Sequence, residues 1–156
     1  MKNILEEIAA RTRERIAKEK SRISVSELEN RIQEVNKNAR QKITFLQALQ
    51  KDGMSYICEV KKASPSKGLI APDFPYLAIA KEYEQAGASA ISCLTEPFYF
   101  QGADQYLREI AAAVQIPVLR KDFTVDEYMI YQAKSLGASA VLLICAILDD
   151  GELRAY

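Results

Sequence analysis

The chain has 156 residues, of which 49% are hydrophobic, and its 21 basic side chains balance its 21 acidic ones. This length and composition suffice for one domain with a hydrophobic core. The balanced charge, without a basic tail or stripe, disfavours a nucleic-acid partner. The start of the chain carries too many charges for a signal peptide, and no apolar run could cross a membrane, so we expect a cytoplasmic protein.

Histidine is absent from the sequence, and the three cysteines are widely spaced. Cys58, Cys93 and Cys145 each lie in an apolar stretch, without the CxxC spacing of a zinc site. We therefore expect buried thiols and neither a metal site nor a disulfide framework. Any acid–base chemistry must then use Lys, Glu, Asp, Tyr or Cys.

Residues 1–52 have a helical pattern and no strand pattern. An apolar stripe among charged residues predicts an amphipathic first helix. Ser24 and Glu27 have the spacing of a capping box, which predicts a second helix start. The stretch ITFLQALQKDG predicts a further short helix that ends at Gly53. The isoleucines of the first stripe are Ile4, Ile8 and Ile16.

From residue 53 to residue 156, short apolar strands alternate with amphipathic helices. This order predicts a parallel sheet with right-handed crossovers. The junction GASA occurs at Gly87 and again at Gly137, as two repeated βα units would give, although chance reuse of a favourable loop is the alternative. Strands are predicted in SYICEVK, ASAISCLTE, IPVLRKD and ASAVLLICA, and helices in PYLAIAKEYEQAG, ADQYLREIAAAV, VDEYMIYQAKSLG and the final LDDGELRAY.

Charged side chains occur at the ends of two predicted strands. Glu59 and Lys61 are two residues apart in the first strand and therefore share a face, and Lys121 closes the third strand. Active sites of parallel barrels form at the carboxyl ends of the strands. One carboxylate and two ammonium groups would converge there and leave a positive excess for an anion. A salt-bridged strand end without a function explains the spacing equally well.

The first strand is followed by a loop whose composition suits an anion. Ser64 and Ser66 flank Pro65 and are followed by Lys67 and Gly68, in what we predict to be a strand-to-helix loop. Hydroxyl groups, backbone amides and a lysine can hold a phosphate or a carboxylate. The spacing is not that of a nucleotide P-loop, and the same residues are common in ordinary loops.

Aromatic residues follow the second and third predicted strands. Phe98, Tyr99 and Phe100 follow the second strand, and Phe123 follows Lys121. Rings in these loops can stack on a flat substrate, and packing in the core is the alternative.

Four motifs in this order resemble indole-3-glycerol phosphate synthase: CEVKKASPSKG, GASAISCLTEPFYFQG, IPVLRKDF and GASAVLLI. The helical segment before the first strand resembles the amino-terminal segment of that family. The resemblance implies a (β/α)8 barrel that acts late in tryptophan biosynthesis. Such an enzyme is a carboxy-lyase that converts 1-(2-carboxyphenylamino)-1-deoxyribulose 5-phosphate into indole-3-glycerol phosphate, carbon dioxide and water, without a metal or an organic cofactor.

The resemblance also implies roles for individual residues. Lys121 would be the general acid that protonates the ketose oxygen during ring closure. Lys61 would hold the substrate carboxylate or phosphate and exchange protons during dehydration, and Glu59 would orient and charge-balance the two lysines. Ser64 would contact the phosphate. The apolar walls around the substrate ring would be Phe100, Phe123 and Leu142.

The resemblance further implies two parts of the chain. Residues 1–52 would be the amino-terminal helical extension, and residues 53–156 the first half of the barrel, with four parallel strands and an end within the fourth helix. Because the family's other strands carry further site residues, we expect little or no activity from a single copy of these 156 residues. The first and fourth strands would be open edges that allow self-association.

Two other functions are compatible with the sequence. One is a non-catalytic half-barrel that self-associates. The other is a phosphosugar aldolase barrel in which Lys61 or Lys121 forms a Schiff base with the substrate.

Overall fold

The computed structural model describes residues 3–38 and 43–156. The helices are α1 (Ile4–Lys20), α2 (Val25–Asn38), α3 (Phe45–Leu49), α4 (Tyr76–Gln85), α5 (Asp104–Ala113), α6 (Tyr128–Ser135) and α7 (Asp150–Ala155). The strands are β1 (Ile57–Val60), β2 (Ala63–Ser64), β3 (Gly68–Leu69), β4 (Ala90–Leu94), β5 (Val118–Lys121) and β6 (Ala140–Val141).

The main sheet has four strands in the order β1-β4-β5-β6, and all three neighbouring pairs are parallel. Helices α4, α5 and α6 connect successive strands. The predicted α/β fold is therefore confirmed, and its arrangement is that of four successive βα units of a (β/α)8 barrel. Within residues 3–38 and 43–156, no helix is long and apolar enough to cross a membrane.

The strand register separates two faces of the sheet. Glu59 lies beside Ser92, and Ser92 lies beside Leu119, so these three residues share one face. The residues that alternate with them pack against α4, α5 and α6 in the main hydrophobic core, which leaves Glu59 on the face away from these helices. The strand residues of this core are Val60, Ile91, Cys93 and Val118.

The two GASA junctions have the same structure. Gly87 follows α4 with a φ angle of +91°, and Gly137 follows α6 with a φ angle of +89°, both in the left-handed region that favours glycine. In both junctions the next amide closes a Schellman motif, because Ala88 donates to the carbonyl of Tyr83 and Ala138 to that of Ala133, each at 3.0 Å. The repeated sequence therefore turns each helix directly into its strand, as predicted.

Helix α1 lies over the loops that follow β4 and β5, and it buries Ile8, Ala9, Thr12 and Ile16. Ile4, which belongs to the predicted apolar stripe, is 44% exposed. Helix α2 packs on α6. The second apolar cluster between these elements comprises Ile8, Ala9, Ile16, Leu28, Phe123, Val125, Tyr128 and Met129.

A buried ionic network joins α1 to the sheet. The guanidinium of Arg15 donates to both oxygens of Asp122, at 3.1 and 2.9 Å. The hydroxyl of Thr95 donates to Asp122 at 2.7 Å and accepts from Arg120 at 3.0 Å. Arg120 is 2% exposed and also donates to Asp104 at the start of α5. Because each buried charge has several partners, the network ties α1, β4, β5 and α5 together.

Two elements differ from the sequence-based expectations near the site. The SPSKG stretch is not a simple strand-to-helix loop, because Ala63 pairs with Leu69 and Ser64 with Gly68 in the antiparallel β2–β3 hairpin. The fourth main strand is only Ala140–Val141, which is much shorter than ASAVLLICA. In the described part of the chain β6 pairs only with β5, so it gains ladder hydrogen bonds on one side alone.

Two smaller expectations were also wrong. Helix α3 ends at Leu49 rather than close to Gly53, because the backbone leaves the helical conformation at its C-cap Gln50, with φ −87° and ψ 7°. Of the cysteines, only Cys93 is buried, in β4, whereas Cys145 is exposed. Cys145 lies beyond the short β6, where the chain has left the sheet and its core.

Removal of the Arg15 side-chain charge should destabilise the protein. Arg15→Met leaves Asp122 buried with one cation fewer, so we expect the free energy of unfolding at pH 7 to fall by about 3 kcal/mol. Urea denaturation measures this difference. Arg13→Met is the matched control, because Arg13 is an exposed arginine of the same helix. If the free energy of unfolding falls no more in Arg15→Met than in Arg13→Met, the buried Arg15–Asp122 pair does not stabilise the protein as predicted.

The network should also give the protein acid-sensitive stability. Burial raises the pKa of Asp122, but the charges of Arg120 and Arg15 and the Thr95 hydrogen bond outweigh it, so the pKa lies below its usual range. A carboxyl with a depressed pKa stabilises the folded state above its unfolded pKa of about 3.9, and this stabilisation is lost as the pH falls through the folded value.

We therefore expect Asp122→Asn to lower stability at pH 7 and to reduce the further loss between about pH 4 and the folded pKa. Unfolding curves at several pH values measure both effects. The control is Asp73→Asn, at an exposed aspartate, which should leave the acid dependence as in the wild type.

Candidate active site

One carboxylate joins two lysines at the carboxyl end of the sheet. Glu59 accepts a hydrogen bond from Lys61 Nζ through Oε1 at 2.6 Å and one from Lys121 Nζ through Oε2 at 2.8 Å. Lys61 directly follows β1, and Lys121 is the last residue of β5. The side chains of Glu59, Lys61 and Lys121 are 28%, 33% and 35% exposed, so a ligand can reach all three.

The two lysines keep Glu59 ionised. Partial burial raises the pKa of Glu59, but hydrogen bonds from Lys121 and Lys61 and the charges of these lysines outweigh it, so the pKa lies below its usual range. The cluster therefore has one negative and two positive groups. Its excess positive charge faces away from α4, α5 and α6 and is available to an anion.

A cavity of about 550 Å³ adjoins this cluster at Lys61. Its walls come from α1, from the β2–β3 hairpin and from the loops after β4 and β5. The charged and polar groups lie at Lys61 and the hairpin, and the apolar groups lie on α1 and the aromatic loops. The lining residues are Ile4, Leu5, Ile8, Lys61, Ser64, Pro65, Ser66, Lys67, Ile70, Phe100 and Phe123.

The hairpin presents two hydroxyl groups and a lysine to the cavity. Ser64 is 8% exposed, and its Oγ accepts from the Lys67 amide at 3.2 Å. The hydroxyl of Ser66 lies 3.5 Å from that of Ser64. The bond from the Lys67 amide to Ser64 Oγ closes the turn and keeps both hydroxyl groups beside Lys67. This arrangement suits an anionic group of a ligand.

The site residues named from the sequence do not all line the cavity. Phe100 and Phe123 form an aromatic wall with ring centroids 6.5 Å apart. Glu59 and Lys121 are not among the described residues that line the cavity. Lys121 pairs with Glu59, and Glu59 pairs with Lys61, which does line it. Leu142 directly follows β6 and is half-buried, and it is not among the described residues that line the cavity.

Two contributions to the site were missed in the sequence. Ile4, Leu5 and Ile8 of α1 line the cavity, and their apolar stripe predicts a helix without indicating which loops that helix covers. The strand pattern ASAISCLTE predicts Glu96 as the last residue of a strand. In the structure it is fully buried and binds the loop that carries Phe100. A carboxylate directly before a turn was the only available signal.

The sequence matches the family model of indole-3-glycerol phosphate synthase over residues 5–156. It is 51% identical over 154 residues to the indole-3-glycerol phosphate synthase of Ruminiclostridium cellulolyticum and 53% identical over 153 residues to that of Lacticaseibacillus paracasei. Each alignment covers 98% of this chain and 58% of the relative. The synthase of Neisseria gonorrhoeae is 57% identical over 100 residues, which are 64% of this chain and 38% of the relative.

The chain therefore spans 58% of the length of the first two relatives. The matched region contains all the residues of the Glu59–Lys61–Lys121 cluster and of the cavity except Ile4, which precedes the family match.

Loss of either lysine should raise the pKa of Glu59. Lys121→Met removes a hydrogen bond and a positive charge, so the Glu59 carboxyl should titrate closer to its usual range. The ¹³C chemical shift of the Glu59 carboxyl, followed against pH, measures this change. Lys67→Met is the control, because Lys67 lines the cavity but no hydrogen bond joins it to Glu59. Equal titration curves for both variants would contradict the assigned pairing.

Proposed function

Because the chain belongs to the indole-3-glycerol phosphate synthase family, we propose that it serves the reaction for which the family is named. The substrate is 1-(2-carboxyphenylamino)-1-deoxyribulose 5-phosphate, which is closed to an indole ring with loss of carbon dioxide and water. The protein is in this proposal a carboxy-lyase of tryptophan biosynthesis and has a cytoplasmic location. The observation that carries the proposal is the pairing of Lys61 and Lys121 with Glu59 beside an aromatic-walled cavity.

The charge of the site supports an anionic substrate. Glu59 neutralises one of its two lysines, and Lys67 adds a further positive group at the cavity. The proposed substrate carries a carboxylate on its ring and a phosphate at the other end. One ligand can therefore supply the negative charges that balance the lysines left uncompensated by Glu59.

The shape of the cavity supports a substrate with a flat ring. Phe100 and Phe123 would contact the anilino ring, with Leu142 as a further apolar contact next to β6. Ser64 would contact the phosphate, with Ser66 and Lys67 beside it in the hairpin. The cavity lining combines apolar side chains with the polar groups of the hairpin, so different groups would bind the ring and the phosphate and would orient the substrate.

The lysines would carry the proton transfers. Lys121 donates a proton to the ketose oxygen while the ring carbon that bears the carboxylate attacks the ketose carbon, so a carbon–carbon bond forms as the carbonyl double bond becomes a hydroxyl group. Loss of carbon dioxide then returns the electron pair to the ring and restores its aromaticity. Departure of the hydroxyl group as water, with proton exchange at Lys61, completes the indole.

Glu59 would position both lysines in this reaction. Each of its oxygens accepts from one ammonium group, so the two Nζ atoms are held on either side of one carboxylate. The proposal requires no metal ion and no organic cofactor, because proton transfer and orientation suffice for each step. Self-association through β1 and β6 stays a prediction, which sedimentation of the purified chain would test.

Lys121→Met should lower whatever turnover the chain supports, alone or self-associated. General acid–base groups contribute about 10²- to 10⁴-fold to rates, so we expect a loss of that size. The measurements are binding of the carboxyphenylamino substrate and the appearance of indole fluorescence. Lys62→Met is the control, because Lys62 is a lysine next to Lys61 in the chain and has no assigned role in the reaction. Failure of the wild-type chain to bind this substrate would contradict the proposal, whereas binding without turnover would confine the proposal to substrate recognition.

Sodium borohydride distinguishes the proposed synthase from a Schiff-base aldolase. The synthase reaction forms no imine, so treatment with a ketose phosphate and borohydride should leave the protein mass unchanged. A covalent adduct at Lys61 or Lys121, located by mass spectrometry, would favour the aldolase.

A further inference from the structure

Glu96 is a buried carboxylate two residues beyond β4. Its side chain is 0% exposed, and Oε1 accepts from the Phe98 amide at 2.9 Å. Oε2 accepts from the amides of Tyr99 and Phe100, at 2.7 and 3.0 Å. Burial of an unpaired charge is unfavourable, and three backbone N–H groups offset that penalty here. Glu96 therefore binds the backbone of three consecutive residues.

The same loop is held tightly against the end of β4. The Gly102 amide donates to the Glu96 carbonyl at 2.8 Å. A Cβ atom at Gly102 would lie 2.5 Å from the carbonyl oxygen of Leu94, so only glycine fits this close approach. Gln101 has a φ angle of +50° and completes the turn. Hydrogen bonds from the loop to Glu96, and the close approach of Gly102 to β4, thus hold the backbone of residues 97–101 in place.

Helix α1 contacts the outer side of this loop. The hydroxyl of Tyr99 donates to Glu7, and the guanidinium of Arg11 lies 5.3 Å from the ring centroid of Phe98. Phe98 and Tyr99 therefore face α1, whereas Phe100 faces the cavity beside Phe123. The direction of Phe100 depends on the backbone geometry that Glu96 sets.

We propose that Glu96 is a positioning residue of the substrate cavity. Its carboxylate holds the backbone at residues 98–100 so that the Phe100 ring stays in place for the aromatic ring of the ligand. Glu96 does not line the cavity in the described part of the chain, so it acts through Phe100 and not on the ligand. This proposal rests on the proposed function for the identity of the ligand.

The arrangement requires a carboxylate rather than an amide. Glutamine has one acceptor oxygen where Glu96 uses two, and its NH₂ group would meet one of the backbone N–H groups. Glu96→Gln thus leaves at least one buried donor without an acceptor, and the loop must move to satisfy it.

The chain offers a matched control for this substitution. Glu84 also binds backbone amides, because its Oε1 accepts from Gln115 at 2.6 Å and from Ile116 at 3.1 Å. These amides precede β5, at the opposite end of the sheet from the cavity. Glu84→Gln therefore makes the same chemical change at a carboxylate that binds backbone amides away from the aromatic wall, where the one oxygen that glutamine keeps can still accept both bonds.

The first experiment measures amide hydrogen exchange of the full chain without ligand. In Glu96→Gln, the amides of residues 98–100 should exchange about tenfold faster or more, while those of β5 keep their wild-type rates. In Glu84→Gln, the amides of residues 98–100 should not change. Unchanged exchange at these residues in Glu96→Gln would overturn the proposal, whether or not the proposed function holds.

The second experiment measures binding of the carboxyphenylamino substrate in a double-mutant cycle with Phe100→Ala. Glu96→Gln should weaken binding about three- to tenfold when Phe100 is present and cause no further loss when it is absent. Glu84→Gln should bind as the wild type does. Additive effects of Glu96→Gln and Phe100→Ala would overturn the proposal.

Two further measurements keep the outcomes distinct. Inorganic phosphate, as a probe of the hairpin, should bind equally to the wild type and to Glu96→Gln, and a loss there would indicate general disruption and overturn the proposal.

Absence of substrate binding by the wild type would refute the proposed function alone, since the exchange experiment still decides what Glu96 does. If Glu96→Gln does not fold, Glu96→Asp replaces it, because the shorter side chain withdraws the carboxylate from the same amides.

Discussion

Asp122 is the carboxylate on which the rest of the structure depends. It lies between Lys121 and Phe123, and so between the proton donor and an aromatic wall of the proposed site. Its oxygens accept from Arg15, from Thr95 and from the Phe123 amide. One buried charge therefore fixes α1, the end of β4 and the residues after β5 relative to one another, because displacement of any of them would leave that charge without a partner.

Three carboxylates in and around the candidate site fall into two groups by exposure. Asp122 and Glu96 are buried, and both accept hydrogen bonds from backbone amides next to the cavity, so they fix the backbone there. Glu59 is 28% exposed, and within residues 3–38 and 43–156 its carboxylate accepts from Lys61 and Lys121 alone. These lysines are 33% and 35% exposed, so a ligand can still reach them. Burial thus separates groups that hold the site in place from groups that can respond to a bound anion.

Much of the fold could be predicted because alternation and helical periodicity are local. The parallel β-α order and the glycine-ended helices follow from patterns a few residues long. The strand period also puts Glu59 and Lys61 on one face. The β2–β3 hairpin and the short β6 could not be predicted in this way, since both depend on which backbone groups find a neighbour in space. The buried positions of Glu96 and Asp122 were missed for the same reason.

The sequence by itself determined the order of the main-sheet strands and their helices, the shared face of Glu59 and Lys61, and the resemblance to a family. Each of these is carried by residues close together in the chain or by short motifs. Only the tertiary structure decided that both oxygens of Glu59 bind lysines from different strands and that α1 forms a wall of the cavity. These features join residues such as Arg15 and Asp122 that are far apart in sequence. Their contact depends on the packing of whole elements, which no local pattern encodes.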